Sequence, residues 1–256
     1  MPICEICVSF FYIMTKIFTY PITAIYYAIF FIVLCIFHPI QFICLKIFGY
    51  EAHKKSVDVL NLVLIRITNL LNIKFQFENI DRIPENVPLI LVANHQSMYD
   101  IIGVIWYLRK FHVKFVSKKE LGSGVPSISY NLRNGGSVLI DRKDPKQAIV
   151  EISKLSKYIE TYKRSALIFP EGTRSKTGVP KKFSETGLKI LCKYAPSAYI
   201  VPISINNSWK IVRHGLFPIG MNQKPTFIIG ESFAVKDFSF KEIMQKTEQA
   251  ILQNLE

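Results

Sequence analysis

Residues Leu89 to Asp100 read LILVANHQSMYD, five apolar residues followed at once by an asparagine, a histidine and, five positions on, an aspartate. A short apolar run bounded by turn residues is the pattern of a buried strand. The next apolar stretch, 98–110, has helical periodicity. Strand, polar turn and helix in that order form half of a βαβ unit, so the fold class turns on this junction. On one straight helix, His95 and Asp100 would lie about 140° apart and could not pair. Ser97-Met-Tyr-Asp100 is an S-x-x-D capping signature, so a helix starting at Ser97 leaves His95 in the turn and brings Asp100 back towards it.

The same alternation continues outward. Runs at 74–79, 113–117, 137–140, 166–169, 198–205 and 226–230 read as further strands, and 144–164, 184–195 and 240–255 as amphipathic helices. Asp144-Pro145 is a helix start, with Asp as cap and Pro in the first turn. The predicted fold is α/β, a largely parallel sheet flanked by helices. No internal repeat or low-complexity linker divides it.

Ahead of this domain the composition changes. From Ile17 to Phe37 there is no charged side chain, and as a helix that stretch would span roughly 30 Å, the thickness of a bilayer's hydrocarbon core. Pro21 and Pro39 predict breaks in any helix through it, leaving either one crossing or a hairpin in one leaflet. No small-residue cleavage site follows, which argues against a cleaved signal peptide. The reading is a membrane-associated helical segment over 1–50 and a catalytic domain over 51–256.

The formal net charge is +13, of which residues 1–50 carry only +1, from Lys16 and Lys46 against Glu5. A basic domain beside an apolar anchor suits an anionic membrane surface or a phosphorylated substrate. His53, Lys54 and Lys55, just after the apolar stretch, favour a membrane location with the catalytic domain facing the cytoplasm. Four of the five cysteines lie in the apolar segment, and Cys4-x-x-Cys7 lacks a second pair, so neither a disulfide framework nor a metal site is expected.

In parallel sheets, ligands gather beyond the carboxyl ends of the strands. Three predicted strands deliver polar residues there. The first delivers His95 and Asp100; LIFPEGTRS (167–175) delivers Glu171, Gly172, Thr173 and Arg174; GGSVLIDRKD (135–144) delivers Asp141 and Arg142. Taken together, a His–Asp pair and two arginines, expected on neighbouring strand ends, describe a pocket for an anionic substrate that must be deprotonated. Taken singly, His95 reads equally well as a loop histidine, and each arginine as a surface charge.

NHQSMYD has the NHxxxxD pattern of the glycerolipid acyltransferases, the family containing the 1-acylglycerol-3-phosphate acyltransferases. LIDR (139–142), FPEGTRS (169–175) and VPISI (201–205) resemble its second, third and fourth motifs, in order. The resemblance covers roughly residues 75–230. It implies that His95 and Asp100 are catalytic and that Arg142, Glu171, Gly172, Thr173 and Arg174 hold the acceptor. The implied reaction moves an acyl chain from acyl-coenzyme A or acyl-carrier protein to lysophosphatidic acid, with no metal or other cofactor. Where many members have lysine directly after a phenylalanine, Ser184 follows Phe183 here, with Lys181 and Lys182 before it. The stretch 118–136 is more polar and glycine-rich than usual, and is expected to line the acceptor or acyl channel.

Other acceptors, glycerol 3-phosphate or another lysolipid, share this chemistry. A membrane-attached hydrolase with Ser97 as nucleophile is a different class, but no G-x-S-x-G elbow supports it. Nucleic-acid binding has no motif behind it.

Overall fold

The computed structural model describes the backbone from residue 5 and side chains from residue 19. Cys4 and the side chain of Cys7 fall outside the described residues. Helix α1 (Glu5–Thr68) leads into β1 (Gln76–Glu78), β2 (Leu89–Ala93), α2 (Tyr99–Tyr107), β3 (Val113–Lys118), α3 (Ile128–Asn134) and β4 (Val138–Ile140). There follow α4 (Pro145–Tyr162), β5 (Ser165–Ile168), α5 (Glu185–Tyr194), β6 (Tyr199–Asn206), β7 (Thr226–Ile229), β8 (Phe233–Ala234) and α6 (Phe240–Leu252).

The strands form one sheet in the order β1-β7-β6-β2-β5-β3-β4, with β8 also on β6. Pairings are parallel except β6 with β7 and β6 with β8. β2 is the central strand and all five of its residues are buried. Side chains alternate across a strand. Leu89, Leu91 and Ala93 therefore join a core shared with α1 and α2 on one face. Ile90 and Val92 join the core under α4, α5 and α6 on the other. Asp144 caps α4 as expected, its carboxylate accepting from Gln147 N at 3.0 Å, with Pro145 in the first turn. Helix α3, within the polar stretch 118–136, was not predicted: seven residues are too few for a periodic signal.

Two expectations are corrected. The prolines do not break α1: it runs through Pro21 and Pro39 and departs from helical geometry at Gly49, whose φ is 78°. A proline costs one backbone bond and a steric clash, which apolar helices tolerate where neighbouring groups compensate. Gly49 adopts the left-handed backbone that residues with a Cβ avoid. Helix α2 starts at Tyr99, not Ser97, whose hydroxyl instead accepts from Tyr99 N at 3.1 Å.

Thr19–Leu71 is long and apolar enough to cross a membrane, with mean hydropathy 2.4 in a window only 11% buried. One stripe, Thr23, Tyr26, Leu34 and Gln41, packs inward. Away from it, Ile25, Phe31, Ile32, Ile36, Phe42, Ile43, Ile47 and Phe48 are exposed. A contiguous apolar surface of this length marks a lipid or partner interface, and the structure fits membrane association.

Candidate active site

β2 ends at Ala93, and the next residue fixes the turn. The Asn94 side chain donates to Ile205 O at 2.8 Å and accepts from Ile205 N at 2.7 Å, tying the turn to β6. His95 follows, its Nδ1 2.8 Å from Asp100 Oδ2. The carboxylate is an acceptor, so Nδ1 carries the proton and Nε2 presents a lone pair. Nε2 has no hydrogen bond to another described residue, and the His95 side chain is 16% exposed. The imidazole stacks on Phe169, centroids 3.9 Å apart, which fixes the ring plane.

Asp100 is fully buried. Its Oδ2 also accepts the backbone N–H groups of Gln96 at 2.9 Å and Ser97 at 3.0 Å, and its Oδ1 accepts from the Ser97 and Ser208 hydroxyls. A buried carboxylate accepting from this many donors is held immobile. Gln96 Oε1 accepts from Ser208 N at 3.0 Å, joining the turn to the segment after β6. Ser97 itself is fully buried among Asp100 and Ser208. That hydroxyl is buried and fully engaged within the turn, and the geometry gives the hydrolase reading no support.

The loop after β5 is built onto the same turn. Glu171 Oε1 accepts from His95 N at 2.7 Å, and its Oε2 from Lys181 N at 2.8 Å. Ser175 N donates to His95 O at 2.7 Å. Burial pushes the Glu171 carboxyl above its ordinary range, opposed by the Lys181 and His95 N–H bonds. Gly172, at φ 68°, needs the left-handed turn there. Thr173 and Arg174 are exposed, and the Arg174 guanidinium has no hydrogen bond to a described residue. Lys181 Nζ donates to Thr173 Oγ1 at 2.6 Å and to Arg174 O at 3.2 Å, so the displaced lysine folds back over this loop.

His95, Asp100 and residues 171–174 are therefore brought together, while Arg142 stands apart. It is exposed beyond β4, the sheet's edge strand. β3 lies between β4 and β5, so the two arginines do not leave neighbouring strand ends. A strand order cannot be read from spacing alone. Sequence reasoning also missed Ser208 and Phe169. Ser208 lies 108 residues from Asp100 with no local pattern to mark it; Phe169 could have been found as the last residue of the predicted strand at 166–169.

The acyltransferase family model matches residues 74–206, just over half the chain and inclusive of all four motifs. The chain belongs to the acyltransferase family. The 1-acyl-sn-glycerol-3-phosphate acyltransferase of Helicobacter pylori strain J99 is 39% identical over 127 residues, covering 46% of this chain and 51% of that protein. The human 1-acyl-sn-glycerol-3-phosphate acyltransferase alpha is 29% identical over 124 residues, 48% of this chain and 43% of that one. The chain thus spans about half the length of the curated relatives it matches. The crystal structure of the 1-acyl-sn-glycerophosphate acyltransferase PlsC from Thermotoga maritima shares the fold, with TM-score 0.73, 21% identity and 94% of each chain covered.

Proposed function

We propose that this acyltransferase is a membrane-bound 1-acyl-sn-glycerol-3-phosphate O-acyltransferase, which acylates the free hydroxyl of lysophosphatidic acid to give phosphatidic acid in phospholipid synthesis. The observation that carries the reading is the His95–Asp100 pair, with Nε2 of His95 free at the carboxyl end of the central strand. The relatives from Helicobacter pylori and human, both 1-acyl-sn-glycerol-3-phosphate acyltransferases, support the acceptor.

His95 Nε2 takes the proton of the acceptor hydroxyl as its oxygen attacks the thioester carbonyl. Asp100 holds the ring in the Nδ1–H tautomer and stabilises the imidazolium. The tetrahedral intermediate collapses, the carbon–sulfur bond breaks, and the imidazolium returns its proton to the leaving thiolate. A thioester carries its own good leaving group, so no acyl-enzyme is needed. Acyl-coenzyme A or acyl-carrier protein supplies the acyl chain, and no metal or further cofactor takes part. Arg174, with Thr173 and Gly172, receives the acceptor phosphate, and Glu171 positions the His95 backbone. Arg142, out at the sheet edge, is assigned only a secondary part in acceptor binding.

Residues 1–50 serve as the membrane segment and 51–256 as the acyltransferase domain. Thr23, Tyr27, Leu34 and His38 of α1 each hydrogen-bond Ser127 or the 216–219 stretch. A crossing helix would drag those loops into the bilayer, so α1 lies in one leaflet, with the basic domain on the cytoplasmic headgroups. The test is acyl transfer by detergent-solubilised protein, with lysophosphatidic acid, glycerol 3-phosphate and a neutral monoacylglycerol offered against both donor types. Preference for lysophosphatidic acid is expected; equal use of the neutral acceptor would contradict phosphate recognition.

A further inference from the structure

At the opposite end of the sheet from His95, the second residue of β3 is a lysine. Lys114 is in register with Ala166, itself in register with Ile90, five residues ahead of His95. At 3.3 Å per residue that places the two about 16 Å apart along the strands. Lys114 is only 6% exposed. Its ammonium has no hydrogen-bond acceptor or paired carboxylate among the described residues, and rests 4.9 Å from the centre of the Tyr50 ring. The same ring carries the Arg164 guanidinium at 4.1 Å.

Lys114 lines a small open cleft together with His53, Lys54, Asp58, Arg109 and His112. His53 is 1% exposed, and its Nε2 is buried with no partner. So is the Tyr130 hydroxyl, on a ring 5.9 Å from that of His53. Asp58 is already taken by Lys54 at 2.5 Å, and the exposed Glu51 lies 3.6 Å from Arg164. Four cations, Lys54, Arg109, Lys114 and Arg164, thus face two carboxylates. A buried ammonium without a partner is strongly unfavourable in an apolar setting. Desolvation, with Arg164 and Lys54 nearby, pushes Lys114 down to about 7. Desolvation and Lys114 push His53 down to about 4, so its imidazole is neutral and offers one N–H.

We propose that this cleft binds an oxyanion of the phosphate class, at a site separate from acyl transfer, with the Lys114 ammonium and the His53 Nε2–H as its buried donors. An oxyanion there supplies the missing negative charge and the missing acceptor together, and draws a proton onto Lys114. The cleft adjoins Tyr50 and Glu51, just past Phe48, where the exposed apolar surface ends. A free phosphate and the headgroup phosphate of an anionic lipid can both reach it.

The test follows the ring ¹⁵N resonances of His53 and His112 in the full-length, detergent-solubilised protein. Inorganic phosphate is titrated at constant ionic strength, in an Arg174→Ala background that removes the proposed acceptor contact. A saturable shift of both resonances, with a rise in Tm, is expected, and Lys114→Met should abolish both responses. A second arm compares vesicles of pure phosphatidylcholine with vesicles containing phosphatidic acid. Shifts confined to the second vesicle type assign the site to a lipid headgroup, and shifts with free phosphate alone assign it to the soluble ion. No shift in either arm overturns the proposal, as does an undiminished response in Lys114→Met, which would place the bound phosphate elsewhere. Should Lys114→Met not fold, the parent titration decides by itself. Because nothing in this test reads acyl transfer, its failure leaves the catalytic assignment standing.

Discussion

Glu171 Oε1 accepts the backbone N–H of His95 at 2.7 Å, so the loop after β5 holds the His95 turn after β2 in place. The same carboxylate holds Lys181 N through its other oxygen. Glu171→Gln keeps one acceptor and turns an NH₂ group against the second N–H. Leaving a buried donor unpaired costs about 1–3 kcal/mol. The expected outcome is a Tm lowered by several degrees and a kcat reduced about tenfold, with the acceptor KM little changed. A rise in acceptor KM alone would mean that Glu171 touches substrate directly.

The separation of the two arginines by β3 predicts unequal effects. Arg174→Lys should raise the acceptor KM, and Arg174→Ala more so, because the planar fork that grips phosphate is lost. The acyl-donor KM should stay nearly constant. Arg142→Ala, at the sheet edge, should change the acceptor KM by a smaller factor than Arg174→Ala. A two-substrate kinetic matrix on all three variants reads these differences. A donor KM that rises alone would move Arg174 to the donor's phosphates.

The exposed apolar surface of α1 predicts the mode of attachment. Carbonate or high-salt washing should leave the full-length protein in the membrane fraction, because apolar burial and not charge holds it. Removing residues 1–50 should depress activity on long-chain substrates. Release by salt alone would make the basic domain the anchor.

Much of this could be read from residues alone, and the misses share a physical cause. β2, α4 and α6 announce themselves through local periodicity and caps, which depend on neighbours a few positions away. His95 and Asp100 were legible for the same reason, being five residues apart across one turn. What depends on long-range packing was not: the Ser208 hydroxyl on Asp100, the place of β3 between β4 and β5, and the continuity of α1 through its prolines. Ser97 misled because its hydroxyl does accept a helix-start N–H, but from Tyr99 and not from the position a capping box requires.

Lys114 gives the chain a pH signature in the absence of phosphate. Its folded-state value of about 7 lies below the ordinary 10.5, so between those limits the unfolded chain holds a proton that the folded one has released. Stability therefore rises with pH across that window, and the penalty is complete below about 7. Lys114→Met should be more stable than the parent at neutral pH, and the gap should close towards pH 10. Denaturant unfolding of both proteins across the window checks this. A variant that is less stable at every pH would show that Lys114 packs better than it burdens.

The most direct measurement is kcat for His95→Ala with lysophosphatidic acid as acceptor. It should be made on protein whose circular dichroism and membrane attachment match the parent. His95 sits in a turn, partly exposed, so its truncation should leave the fold intact. General-base catalysis is worth about 10²–10⁴-fold, and kcat should fall by at least the lower figure. Asp100→Asn should also lose most activity, with a lowered Tm, because an amide would face the N–H groups that Asp100 now accepts. If folded His95→Ala kept more than about a tenth of the parent kcat, His95 would not be the base.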